Sequence, residues 1–182
     1  MYWYAVGALV VIAIILFIVN YNGFISLRNK LEEAYATMDV YLKKRYDLIP
    51  NLVETVKGYA THEKDTLENV IKARNMAMAS QGPEQKQANE TAFAGSLKSL
   101  FALSENYPEL KADAGFRQLS EQLMNLENEI SQARKYYNAV VKTFNSKIAM
   151  FPGNIVASLM NLTRYEYFMV DSNERENVQV KF

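Results

Sequence analysis

His62 is the only histidine in the chain, and cysteine is absent. Without a thiol there is no disulfide, thiolate metal site or cysteine nucleophile. One imidazole cannot build a multi-histidine metal centre and leaves few nucleophile–base triads open. His62 stands in Thr61-His62-Glu63-Lys64-Asp65. In a helical reading, Glu63 and Asp65 are two residues apart and point to different faces, so they do not converge. The expectation is an exposed helical histidine rather than a catalytic base.

A second constellation is Glu127, Ser131, Arg134 and Asn138, spaced four, three and four. On a helix it forms a polar stripe able to hold a ligand or ion between helices. Carboxylate and guanidinium in one stripe pair more readily with each other or with a neighbouring helix, which fixes register. Arg45 and Asp47 flank the bend expected before Pro50, and Asp47 reads as a helix N-cap. Lys43, Lys44 and Arg45 carry enough charge to attract anionic lipid, but a straight helix sets them about 36 Å from the apolar N-terminus. Met76 and Met78 read as core or helix-end packing. No catalytic, cofactor-binding or metal-ligating residue is expected from these patterns, and no enzyme activity. A membrane-associated hydrolase would need converging carboxylates or an activated nucleophile, and there is no Gly-rich phosphate loop.

The elements around these residues begin with YWYAVGALVVIAIILFIV, residues 2–19, eighteen residues without a charge. As a helix this run is about 27 Å long, close to the hydrocarbon thickness of a bilayer. Tyr2, Trp3 and Tyr4 lie at one end, and Tyr21 and Phe24 at the other, as interfacial anchors do. No basic residue precedes the run and no Ala-x-Ala pattern follows it, so it reads as an uncleaved anchor rather than a signal peptide. Arg28, Lys30 and then Lys43, Lys44 and Arg45 follow it, which places the N-terminus outside and the rest in the cytoplasm. Ala5, Gly7, Ala8 and Ala13 permit close packing of anchor helices.

The 20 basic and 20 acidic residues all lie beyond the anchor, so the soluble part is neutral. That balance argues against nucleic acid as partner. From Phe24 to Tyr46, the positions Leu27, Leu31, Ala34, Met38 and Tyr41 give a heptad seam, with a bend placed at Asn22-Gly23 if anywhere. A new helix or sharp bend is expected at Asp47–Pro50, running to Met78 with Leu52, Val53, Val56, Tyr59, Leu67, Val70, Ile71 and Met78 inward. Residues 80–88 read as a polar loop closed by Gly82-Pro83. A third helix runs from about Asn89 to Asn106 with Phe93, Leu97, Leu100 and Phe101 inward. Asp113 caps a fourth, to about Met150, whose seam Phe116, Leu119, Leu123, Leu126, Ile130, Ala133, Tyr137, Val140 and Phe144 alternates threes and fours throughout. Asn154 then caps a short amphipathic piece with Ile155, Val156, Leu159 and Met160. The end, Val178–Phe182, alternates like a strand.

The fold class is therefore all-α: an N-terminal transmembrane helix (1–23), an elongated up-and-down four-helix bundle (24–151), and a short C-terminal amphipathic helix with a tail (152–182). The expected function is a single-pass, membrane-anchored interaction or scaffold module, with a membrane-linked sensor or signalling adaptor as the alternative. Its expected partners are the lipid bilayer, through residues 2–19, and further copies of the chain or other membrane proteins.

The stretch Leu42-Lys43-Lys44-Arg45-Tyr46-Asp47-Leu48-Ile49-Pro50-Asn51-Leu52-Val53-Glu54-Thr55-Val56-Lys57-Gly58-Tyr59 resembles the signature of the LemA family of bacterial membrane proteins. The likeness continues through His62-Glu63, Ala73-Arg74, Tyr107-Pro108-Glu109-Leu110-Lys111-Ala112, Glu127-Asn128, Ala133-Arg134, Tyr137-Asn138, Phe151-Pro152 and Val180-Lys181-Phe182. Glu129 stands where that pattern leads one to expect arginine. The resemblance implies one N-terminal transmembrane helix, a long cytoplasmic helical bundle, and no established enzyme activity.

Overall fold

The computed structural model describes residues 2–168, and within them the protein is all-α, as expected. Six helices follow in order: α1 (Tyr2–Lys57), α2 (Lys64–Met78), α3 (Pro83–Ser104), α4 (Pro108–Ala112), α5 (Ala114–Ala149) and α6 (Gly153–Leu159). The polar run 171–177 and the expected strand at 178–182 lie outside the described residues. The described residues form two compact units, one of residues 2–38 and 133–167, the other of residues 39–132 with Phe168.

In the first unit, the start of α1 pairs with the end of α5. Residues 2–19 are exposed on every side, and α1 is long and apolar enough there to cross a membrane. A helix without a polar face finds its solvent in lipid, where its backbone is already satisfied internally. Asn20, the first polar residue after the run, donates its side-chain amide to the Leu16 carbonyl at 2.8 Å. The helix passes Asn22-Gly23 without interruption. Gly23 faces the Lys147 ammonium, the far end of a flexible side chain that a Cβ there would displace. Beyond it, Phe24 meets Phe144 edge-on (5.7 Å between centroids), and Tyr35 meets Tyr137 at 6.1 Å. Phe144 also meets Tyr165 at 4.9 Å, and the Asn145 side chain bonds both the N–H and the carbonyl of Tyr165. These contacts hold the segment after α6 against α5.

The second unit packs five helical segments: residues 39–57 of α1, then α2, α3, the short α4 and residues 114–132 of α5. Its core includes Leu42, Ile49, Leu52, Val56, Val70, Phe93, Leu100 and Leu123. The α5 seam is as expected: every one of its nine positions is buried or half-buried. Asp113 caps α5, its carboxylate accepting the Phe116 N–H at 2.8 Å and the Tyr59 hydroxyl at 3.0 Å. Those bonds hold its pKa below the ordinary carboxylate value, with the Phe116 N–H the larger cause.

Several helix boundaries differ from the sequence reading. No new helix starts at Asp47, which lies within α1 and pairs with Lys43 one turn away at 3.1 Å. Pro50 sits inside α1 and cannot donate to the Tyr46 carbonyl. Arg74 of α2 supplies the missing donor, its Nε bonding that carbonyl at 2.7 Å. The helix therefore continues to Lys57 and stops at Gly58, where the chain turns through 58–63. Tyr59 and Met78 face outward rather than inward, and Met76 is exposed as well, leaving Ala77 to fill the core. The loop expected over 80–88 is shorter. Pro83 occupies the first turn of α3, where its missing N–H costs nothing. Gly82 before it adopts φ +82°, a conformation open to glycine. Asn154 is not a cap, since α6 already begins at Gly153.

The Arg74–Tyr46 bond leads to a double-mutant test. Arg74→Met orphans a carbonyl and lowers stability by about 1–3 kcal/mol. In a Pro50→Ala background, the alanine N–H restores the helical bond and the same substitution costs less. Urea denaturation of the four variants measures the coupling.

Candidate functional site

Arg45 is the largest fully buried side chain among the described residues. Its seam explains why: Met38, Leu42, Arg45, Ile49, Leu52 and Val56 step by four, three, four, three and four along α1. On α3, Glu90, Phe93, Leu97 and Leu100 step by three, four and three. A guanidinium and a carboxylate thus occupy seam positions on facing helices, and the fold brings them together. Arg45 Nη2 donates to Glu90 Oε2, and Tyr46 Oη donates to Glu90 Oε1. Arg45 Nη1 donates to Glu127 Oε1 of α5 at 2.5 Å. The Phe93 ring lies 5.0 Å from the guanidinium carbon and 5.7 Å, edge-on, from the Tyr46 ring.

Burial alone pulls the Arg45 pKa down, but Glu90 and Glu127 together outweigh it and leave it raised, so the guanidinium stays charged. Burial, and then the bond to Glu90, push the Tyr46 phenol far above its ordinary value. Tyr46 is therefore a fixed donor, not an acid–base group. Arg45 and Glu90 are sealed from water, while the Glu127 side chain keeps 47% of its exposure. The arrangement ties α1, α3 and α5 into one register.

The sequence-derived candidates fall as follows. Glu127 pairs with a neighbouring helix, as the structural reading of its stripe expected. Ser131 is exposed, and Arg134 and Asn138 are half-buried further along α5. Arg45 is spent inside the second unit on Glu90 and Glu127, in keeping with its expected distance from lipid. His62 is exposed as expected, but it sits in the turn between α1 and α2 rather than on a helix. Glu63 accepts the Tyr107 hydroxyl at 3.3 Å, and Asp65 lies in the first turn of α2. Among the described residues, no three of His, Asp and Glu converge as metal ligands do. Glu90 was missed, although a carboxylate in step with Phe93, Leu97 and Leu100 is a legible signal.

An N-terminal helix of membrane-crossing length, continuous with helices locked by a buried charge cluster, defines a membrane-associated helical protein. The chain belongs to the LemA family, whose model matches residues 34–182. It is similar to Protein LemA of Metamycoplasma hominis, with 27% identity over 161 residues covering 86% of this chain and 72% of that protein. It is also similar to Magnetosome protein MamQ 2 of Paramagnetospirillum magneticum, at 23% identity over 91% of this chain and 72% of the relative. Magnetosome protein MamQ of Magnetospirillum gryphiswaldense is 22% identical over 88% of this chain and 70% of its own length. None of these names states a reaction.

Proposed function

We propose that the chain is a single-pass protein of the cell membrane, N-terminus outside, whose cytoplasmic helices form an interaction or scaffold module. The observation that carries this reading is the Arg45–Glu90–Glu127 cluster. The most deeply buried charges are consumed in holding helices together, and the outer faces remain to meet other proteins. Relatives named for the magnetosome, a structure rather than a reaction, support a structural role. The basic residues Arg28, Lys30, Lys43 and Lys44 support the cytoplasmic placement. Small residues on the anchor, from Ala5 to Ala13, support lateral packing with further copies or other membrane proteins.

The test is chemical crosslinking of the full chain in the membranes of its own cell. Discrete oligomers or defined adducts with other membrane proteins are expected, and a strictly monomeric, unpartnered chain contradicts the proposal. The unbroken passage of α1 from the apolar run to Lys57 favours a second reading, a sensor in which α1 carries a shift from the membrane to the bundle. Exchange of residues 2–19 for an unrelated anchor separates the two. A scaffold keeps its crosslinked partners, whereas a sensor loses its response.

A further inference from the structure

In the first unit, α5 runs antiparallel to the start of α1. Tyr35 faces Tyr137 and Phe24 faces Phe144, so descending α1 toward its N-terminus means descending α5 toward its C-terminus. The approach continues past the last aromatic pair. Gly23 lies against Lys147, and Asn20 lines one cavity with Met150, Phe151 and Gly153. The corner after α5 thus stands level with Asn20, the first residue beyond the apolar run.

Among the described residues, that corner is apolar and exposed. Phe151 keeps 78% of its exposure, Leu159 67%, Met150 64% and Ile155 53%. The helix α6 buries Val156 and Ala157 and turns Ile155 and Leu159, one turn apart, outward. The lining of the cavity beside Asn20 includes two cations, Lys142 and Lys147, and no acid. Apolar side chains flanked by cations at the end of a membrane-spanning helix match the two halves of a lipid interface, acyl chains and anionic headgroups.

We propose that the corner Met150–Leu159 is a second membrane contact, in which Phe151, Ile155 and Leu159 enter the boundary between headgroups and acyl chains beside α1. The proposal rests on the reading of α1 as a membrane span. It makes the membrane-proximal unit a lipid-seated base rather than a helix pair suspended in water.

Because the chain lacks cysteine, Ile155→Cys and Leu159→Cys each offer a unique site for an environment-sensitive fluorophore. Tyr136→Cys is the control, exposed on α5 and about 21 Å along the helix from Met150. The full-length variants are reconstituted in phosphatidylcholine–phosphatidylglycerol vesicles with lipids brominated on the acyl chains. Trp3, the only tryptophan, reports the anchor independently. The expected result is a blue shift and bromine quenching at 155 and 159, with the 136 label unchanged and Trp3 quenched. Labels at 155 and 159 that behave like 136 while Trp3 is quenched overturn the proposal and leave the anchor intact. Self-quenching at 155 that disappears on dilution with unlabelled chain, without bromine quenching, assigns the corner to a second copy and overturns it too. An unquenched Trp3 contradicts the span itself, and the proposal falls with it.

Discussion

Arg45→Ala destabilises the second unit by about 3–5 kcal/mol, because it leaves the Glu90 carboxylate buried without its counter-ion. Glu90→Ala costs a similar amount for the mirror-image reason. Glu127→Ala costs less, about 1 kcal/mol or below, since the Glu127 side chain is nearly half exposed and solvent screens its share. The decisive variant is the double substitution Arg45→Met with Glu90→Leu. Removing both charges and filling the space with apolar volume recovers most of the stability lost in either single variant. Urea melts of the full chain in detergent, followed by circular dichroism, give the ordering. Equal losses from all three single variants would mean that the cluster is not buried as described.

Leu123→Asp is the second large effect. Leu123 keeps 3% of its exposure in the middle of the α5 seam. A carboxylate there must be desolvated without a partner or take up a proton, and either route costs several kcal/mol. Met124→Asp, one residue along and 68% exposed, changes stability by about 0.5 kcal/mol or less. The contrast between adjacent positions tests the face assignment as well as the fold. Retention of the wild-type melting temperature by Leu123→Asp would place the seam on the wrong side of the helix.

Both effects depend on residues that were unequally legible in the sequence. The α5 seam was readable in full because it runs through several heptads without a proline or glycine break, and periodicity is strongest in such stretches. The apolar run 2–19 was readable for the same reason, as an uninterrupted signal. Pro50 misled, because local propensity predicts a break and only a residue distant in sequence, Arg74, repairs it. The seam expected through Tyr41 turns in the structure to Leu42, and that step brings Arg45 inward. Glu90 falls just inside the helix expected from Asn89, in step with Phe93 and Leu97, but a carboxylate in the first turn of a helix reads as a solvated end. The buried cluster is thus a tertiary fact: each charge sits on its own seam, and only the packing of three helices explains why neither is exposed. Gly58 was the converse case, a single weak helix former that ends α1 where the apolar pattern runs on.

The proposed topology has α1 crossing the membrane once, with the remaining helices in the cytoplasm. Its most direct test is labelling of single cysteines with a membrane-impermeant thiol reagent on intact cells. The account predicts that Tyr2→Cys is labelled from outside, whereas Met124→Cys is labelled only after the membrane is permeabilised. Labelling of Met124→Cys on intact cells, with Tyr2→Cys protected, would contradict it.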